Sequence, residues 1–174
     1  IRDAIKAIRA KTTRGIINLN TNGSKPAAVE ELFRAGLNSI RVSINSAQEK
    51  WYNLYIRPIG FSQADAVESL KVARRYRRWA SINYFVMPGL TDSREEFDAL
   101  KGIIAETGLS MVQWRNFNID PDWLFDRIEY SNAGEPLGVK NIMNRVKETF
   151  PHIYFGYFNP HAEVIAKNFV DVKI

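Results

Sequence analysis

Amides, hydroxyls and guanidinium groups recur at every second residue in four separate stretches of the chain. "INLNTN" (17–22) carries Asn18, Asn20 and Asn22, and "IRVSIN" (40–45) carries Arg41, Ser43 and Asn45. "SIN" supplies Ser81 and Asn83, and "VQWR" supplies Gln113 and Arg115. Most of these groups donate and accept hydrogen bonds without acting as strong acids or bases, so they suit holding a polar ligand. Arg115 stands near the end of its stretch, and its planar fork fits a carboxylate or a phosphate, or an internal ion pair. Arg41 lies deeper in its own stretch and reads as structural.

Other reactive residue types are sparse. Asp120 and Asp122 flank Pro121 and read as a turn or as two groups facing one ligand. His152 and His161 have no acidic or thiol cluster beside them, so no metal site is assigned. Cysteine is absent, which excludes disulfides and any iron–sulfur cluster held by thiolates of this chain itself. Tyr154, Phe155, Tyr157 and Phe158 read as packing residues.

The periodicity that must position these groups alternates between helix and strand. A helix end over 1–11 precedes a strand at 15–20. A helix over 25–35 follows, with Pro26 in its first turn and Gly36 as its cap. Next come a strand at 38–44, a short helix near 47–55, the turn "RPIG" and a long helix over 62–79. A strand at 80–87 ends at Pro88-Gly89. The helix to Thr107 opens with Thr91, Asp92 or Ser93 as N-cap and Glu95 or Glu96 reaching back. A strand over 110–116, an irregular stretch over 117–137, a helix over 138–149, a strand near 152–158 and a helix over 161–170 complete the chain. Strands separated by helices of this length pair in parallel, in a β/α barrel or an open sheet.

Along each strand the other parity is apolar: Ile17 and Leu19; Ile40, Val42 and Ile44; Ile82, Tyr84 and Val86; Val112 and Trp114. That set suits contact with the helices, and the polar set then lines an interior. Unpaired buried polar groups cost about 1–3 kcal/mol each, so an interior of this kind is expected to meet water, itself or a ligand. An antiparallel sheet with one wet face produces the same alternation, but helices between the strands argue against it. A small closed barrel takes about eight strands. Four or five therefore form an arc with at least one open edge.

The 174 residues fit one domain, 45% hydrophobic and 25% charged, with a formal net charge of +5. The cluster "RRYRR" (Arg74, Arg75, Arg77, Arg78) sits at a helix end and reads as a solvated face, with a nucleic-acid patch as the alternative. No apolar run reaches the roughly 18–20 residues of a membrane span, and no signal peptide opens the chain. A cytoplasmic protein is the default expectation.

"NLNTNGS", "AGLNSIRVSINS", "SINYFVMPGLTDSREEFDAL" and "GLSMVQWRNFNIDPDW", in this order and spacing, resemble the later strands of a radical S-adenosylmethionine (radical SAM) enzyme domain over about residues 15–125. The resemblance implies a partial (βα) TIM-like barrel, with 126–174 as a C-terminal helix–strand–helix extension of the same domain. It also implies a [4Fe-4S] cluster on a CxxxCxxC loop and S-adenosylmethionine chelated to it. Carried over by position, Asn22 and Ser43 would contact the cofactor's aminocarboxylate or ribose, with Thr21, Asn45 and Asn83 as further candidates. Arg115 would bind an anionic group of cofactor or substrate.

The sequence departs from the family in lacking the cysteine loop. The expectation is that these residues are the C-terminal portion of a longer enzyme, that this portion alone is inactive, and that it binds neither cofactor by itself. Its substrate, a small molecule or a peptide, is not legible, and the edge that the missing strands leave open beside its first strand could pair with a second copy. An ordinary β/α-barrel lyase and a non-catalytic nucleic-acid module stay as alternatives.

Overall fold

The computed structural model describes residues 1–131, 135–156 and 159–168. The sequence-expected strand residues Tyr157 and Phe158 lie outside them, as does the end of the last helix. The elements run α1 (Arg2–Lys11), β1 (Asn18–Thr21), α2 (Pro26–Arg34), β2 (Ser39–Ser43), α3 (Glu49–Ile56) and α4 (Gln63–Arg75). They continue with β3 (Trp79–Val86), α5 (Arg94–Thr107), β4 (Met111–Asn116), α6 (Pro121–Arg127), α7 (Val139–Thr149), β5 (Tyr154–Phe155) and α8 (Ala162–Asn168). The strands form one sheet in the order β1-β2-β3-β4-β5, every neighbouring pair parallel. This is the expected open α/β arc, with β1 at one edge.

The two strand parities separate as their chemistry requires. Ile40, Val42, Ile44, Ile82, Tyr84 and Val112 are fully buried. They share one core with Val29 and Phe33 of α2, Leu70 of α4, Leu100 and Ile104 of α5, and Ile142 and Val146 of α7. Full burial of such side chains stabilises the fold by about 1.5–3 kcal/mol each. The polar parity occupies the opposite face. At its N-terminal end α8 closes that face: Ile165 is fully buried and clusters with Trp79 and Met111.

Several boundaries differ from the sequence expectation. The long helix stops at Arg75, because Arg77 adopts a left-handed φ of 51° and Arg78 N–H bonds back to Ala73 O at 2.8 Å. That is a Schellman-type ending usually marked by glycine, and an arginine gives no such signal. The first strand begins at Asn18, later than expected. The irregular stretch contains α6, where Asp120 accepts from Trp123 N–H at 2.9 Å and Pro121 fills the first turn.

Candidate functional site

The polar face is built in rows across the sheet. Parallel register sets Ser43 of β2 beside Asn83 of β3, Asn83 beside Gln113 of β4, and Phe85 beside Arg115. Ser43 is the last residue of β2, and Arg115 is the penultimate residue of β4. The row therefore lies toward the C-terminal ends of the strands, where barrel enzymes keep their sites.

A cavity of about 280 Å³ opens there, lined by Ser43, Asn45, Asn83 and Arg115 together with Tyr55, Phe85, Asn116 and Asn118. Four of the six residues singled out from sequence share it. Thr21 and Asn22 do not line it: Thr21 Oγ1 accepts from Gly23 N–H at 3.0 Å, and Asn22 Oδ1 accepts from Ser24 N–H at 3.1 Å. Those bonds build the turn after β1, which is the Asx-turn role open to an asparagine there. Asp120 is spent on capping α6.

The lining is rich in amides and holds no carboxylate, histidine or lysine among the described residues. By itself it can orient and neutralise a ligand rather than exchange protons with it, and no Schiff-base lysine borders it as a lyase of that kind would require. Asn45 Oδ1 and Asn83 Oδ1 are buried with no hydrogen-bond partner. Two orphaned acceptors on one wall call for a ligand that donates, as an amino group or a sugar hydroxyl does. An aromatic wall completes the cavity: the Tyr55 and Phe85 rings meet edge-on at 5.3 Å, and Phe117 stands 5.5 Å from Phe85. Burial raises the Tyr55 phenol above its ordinary pKa and keeps it neutral. A neighbouring hollow of about 370 Å³, walled by Met87, Pro88, Phe117, Ile119 and Pro121, shares Asn116 with the first.

The loop that carries Asn45 is clamped from behind. The fully buried Glu96 carboxylate accepts from Ser46 Oγ at 2.8 Å, Ala47 N–H at 2.5 Å, Gln48 Nε2 at 2.9 Å and the Tyr84 hydroxyl. Gln63 Nε2 donates to Ser46 O at 2.9 Å. The sequence reading offered Ser93 as an N-cap with Glu95 or Glu96 reaching back. Ser93 does cap α5, its Oγ accepting from Glu96 N–H, but the Glu96 side chain crosses to the loop after β2.

Tyr55, Phe85, Asn116 and Asn118 were not anticipated as cavity residues. Phe85 could have been found by carrying the Ser81–Asn83 parity one step further. Tyr55 could not, because only the packing of α3 over the strand ends brings it there.

Beyond the site, Arg74 donates to the Ala105 and Glu106 carbonyls at the end of α5, and Arg75 pairs with Glu68 at 2.8 Å. Among the described residues no helix is long and apolar enough to cross a membrane, and no group of three or more His, Cys, Asp or Glu could hold a metal ion.

No curated protein matches the sequence. Among solved structures, methylornithine synthase (PylB) superposes with a TM-score of 0.60 at 13% identity, over 88% of this chain and 43% of that one. SuiB of Streptococcus suis gives 0.57 at 13% identity, over 98% and 38%. Coproporphyrinogen III oxidase (HemN) from Escherichia coli, described as a radical SAM enzyme, gives 0.56 at 15% identity, over 86% and 36%. At these identities the likeness is one of fold, and the chain spans less than half the length of each. The Radical SAM superfamily profile matches residues 1–100. With this match over more than half of its residues and the parallel arc of β1 to β5, the chain belongs to the radical SAM superfamily.

Proposed function

We propose that the chain is the portion of a radical SAM enzyme that holds S-adenosylmethionine against the C-terminal ends of β2, β3 and β4. The observation that carries this reading is the convergence of Ser43, Asn45, Asn83 and Arg115 from successive strand ends on one cavity, with two orphaned amide oxygens in its wall. These residues fit the cofactor chemically. The Asn45 and Asn83 oxygens accept from an amino group or ribose hydroxyls, Ser43 adds a hydroxyl, and the Arg115 guanidinium complements a carboxylate. A SuiB structure, similar in fold at a TM-score of 0.54, is described as bound to S-adenosylmethionine.

In this superfamily the bound cofactor and a [4Fe-4S] cluster supply a 5′-deoxyadenosyl radical for hydrogen abstraction. The cluster's thiolates would come from a CxxxCxxC loop outside these residues, which contain no cysteine. The work of this chain is positional. Asn45 and Asn83 orient the polar end of the cofactor, the Glu96 clamp fixes the loop bearing Asn45, and Tyr55 and Phe85 exclude water from one wall.

The test uses the complete protein purified without oxygen. Iron and sulfide near four of each per polypeptide, with reductant-dependent 5′-deoxyadenosine formation, are expected for a [4Fe-4S] radical SAM enzyme. A complete protein that carries no cluster and forms no 5′-deoxyadenosine would contradict the reading.

A further inference from the structure

The inner face carries unpartnered polar atoms beyond those of the cavity wall. Gln113 is fully buried with neither Oε1 nor Nε2 paired, and Arg41 Nε is buried and unpaired as well. Register places Gln113 beside Asn83, and Arg41 beside Ser81, two residues nearer the N-terminal end of the sheet. Arg41 therefore lies below the cavity's row, level with Ser81 and Met111 and two residues beyond the row of Trp79. One of its terminal nitrogens donates to Asn159 Oδ1, in the segment that leads into α8.

Inner-face positions of β1 to β4, from Asn18 to Arg115, include two arginines and no Asp or Glu. Burial lowers the Arg41 pKa first, and the like charge of Arg115 lowers it further. A half-buried guanidinium with a donor left unpaired is costly until an anion joins it. A purely structural arginine at this depth would be expected to have a carboxylate beside it, and among the described residues neither its hydrogen bond nor its electrostatic neighbours include one.

We propose that Arg41 is the centre of a second subsite, beneath the cofactor cavity, that takes the carboxylate or phosphate of the substrate. The unpaired Nε–H of the guanidinium receives the oxyanion, and Asn159 holds one terminal nitrogen in place. The Gln113 amide, one donor and one acceptor, offers the next contact toward Arg115. Substrates of the parent enzyme are then anionic molecules whose charged end points toward α8, with the rest of the molecule rising to the cofactor. This rests on the proposed reading only in placing ligands on the inner face.

The experiment measures equilibrium binding to the complete protein of three probes: S-adenosylmethionine, succinate and inorganic phosphate. Succinate and phosphate distinguish the two oxyanion sources. Wild-type protein is expected to bind at least one of them, Arg41→Gln to weaken that probe about tenfold or more, and S-adenosylmethionine affinity to stay within about twofold. Should Arg41→Gln not fold, Arg41→Lys decides, since it keeps the charge and loses the planar fork. Oxyanion affinity several-fold weaker at unchanged cofactor affinity supports the subsite, and unchanged oxyanion affinity overturns it. Equal weakening of both ligands also overturns it, placing Arg41 in the cofactor pocket. Arg41-dependent oxyanion binding without any cofactor binding would retain the subsite and remove the cofactor reading.

Discussion

The Glu96 carboxylate and the Tyr84 hydroxyl make a buried pair whose pH behaviour can be worked out. Burial first, and the neighbouring carboxylate second, push the Tyr84 phenol well above its ordinary value of 10.0. The unfolded chain then releases this proton before the folded one does, so the stabilisation is complete below the unfolded value and is lost as pH rises past it. Wild-type stability in urea is expected to fall above about pH 10, where unfolded tyrosine ionises. Burial also raises Tyr52 and Tyr130, so the comparison with Tyr84→Phe isolates the Tyr84 share. The variant should show a shallower alkaline decline and, at neutral pH, a loss of about 1.5–3 kcal/mol from one donor to a carboxylate. An alkaline slope identical in the two proteins would contradict the pairing.

At the scale of elements, two glycines make opposite predictions. Gly23 ends the turn after β1 with a φ of 72°, and a Cβ there would stand 2.9 Å from Ala66 Cα of α4 and 3.0 Å from Val42 Cγ1. Gly23→Ala is expected to cost about 2 kcal/mol or more, through backbone strain and overpacking together. Gly102 lies inside α5, and a methyl group added there would meet nothing within 4 Å apart from its chain neighbours and the backbone of its own helix. Gly102→Ala should stabilise the fold by about 0.5–1 kcal/mol. Urea denaturation of both variants checks the pair.

The same elements show what the sequence could reveal. Helices spaced between alternating strands were legible because burial of one strand parity demands them, and Ser43, Asn83 and Arg115 were legible as members of the other parity. The ending of α4 was not, since Arg77 adopts a conformation that its residue type rarely takes. The reach of Glu96 across to residues 46–48 was hidden too, because its hydrogen bonds span nearly fifty residues of sequence. Asn22 and Asn83 look alike as strand asparagines. Only the fold separates the one that closes a turn from the one that faces a cavity.

For the whole molecule, the arc determines where function can sit. Among the described residues β1 pairs with β2 alone, so its other edge can receive strands from outside these residues or from a second copy. In the proposed reading those strands belong to the same polypeptide and bring the cluster loop over the cavity. One face of the sheet is given to helices; the other carries the apolar cluster of Trp79, Met111 and Ile165 toward its N-terminal end, Arg41 level with Met111, and the amide-lined cavity at the strand ends. The most direct test of this arrangement is S-adenosylmethionine affinity in the complete protein for Asn83→Ala and Asn22→Ala, measured by equilibrium dialysis. Asn83→Ala is expected to weaken binding about tenfold while Asn22→Ala stays within about twofold of wild type. Equal effects from both variants, or a loss with Asn22→Ala alone, would contradict the assignment of the inner face as the cofactor's wall.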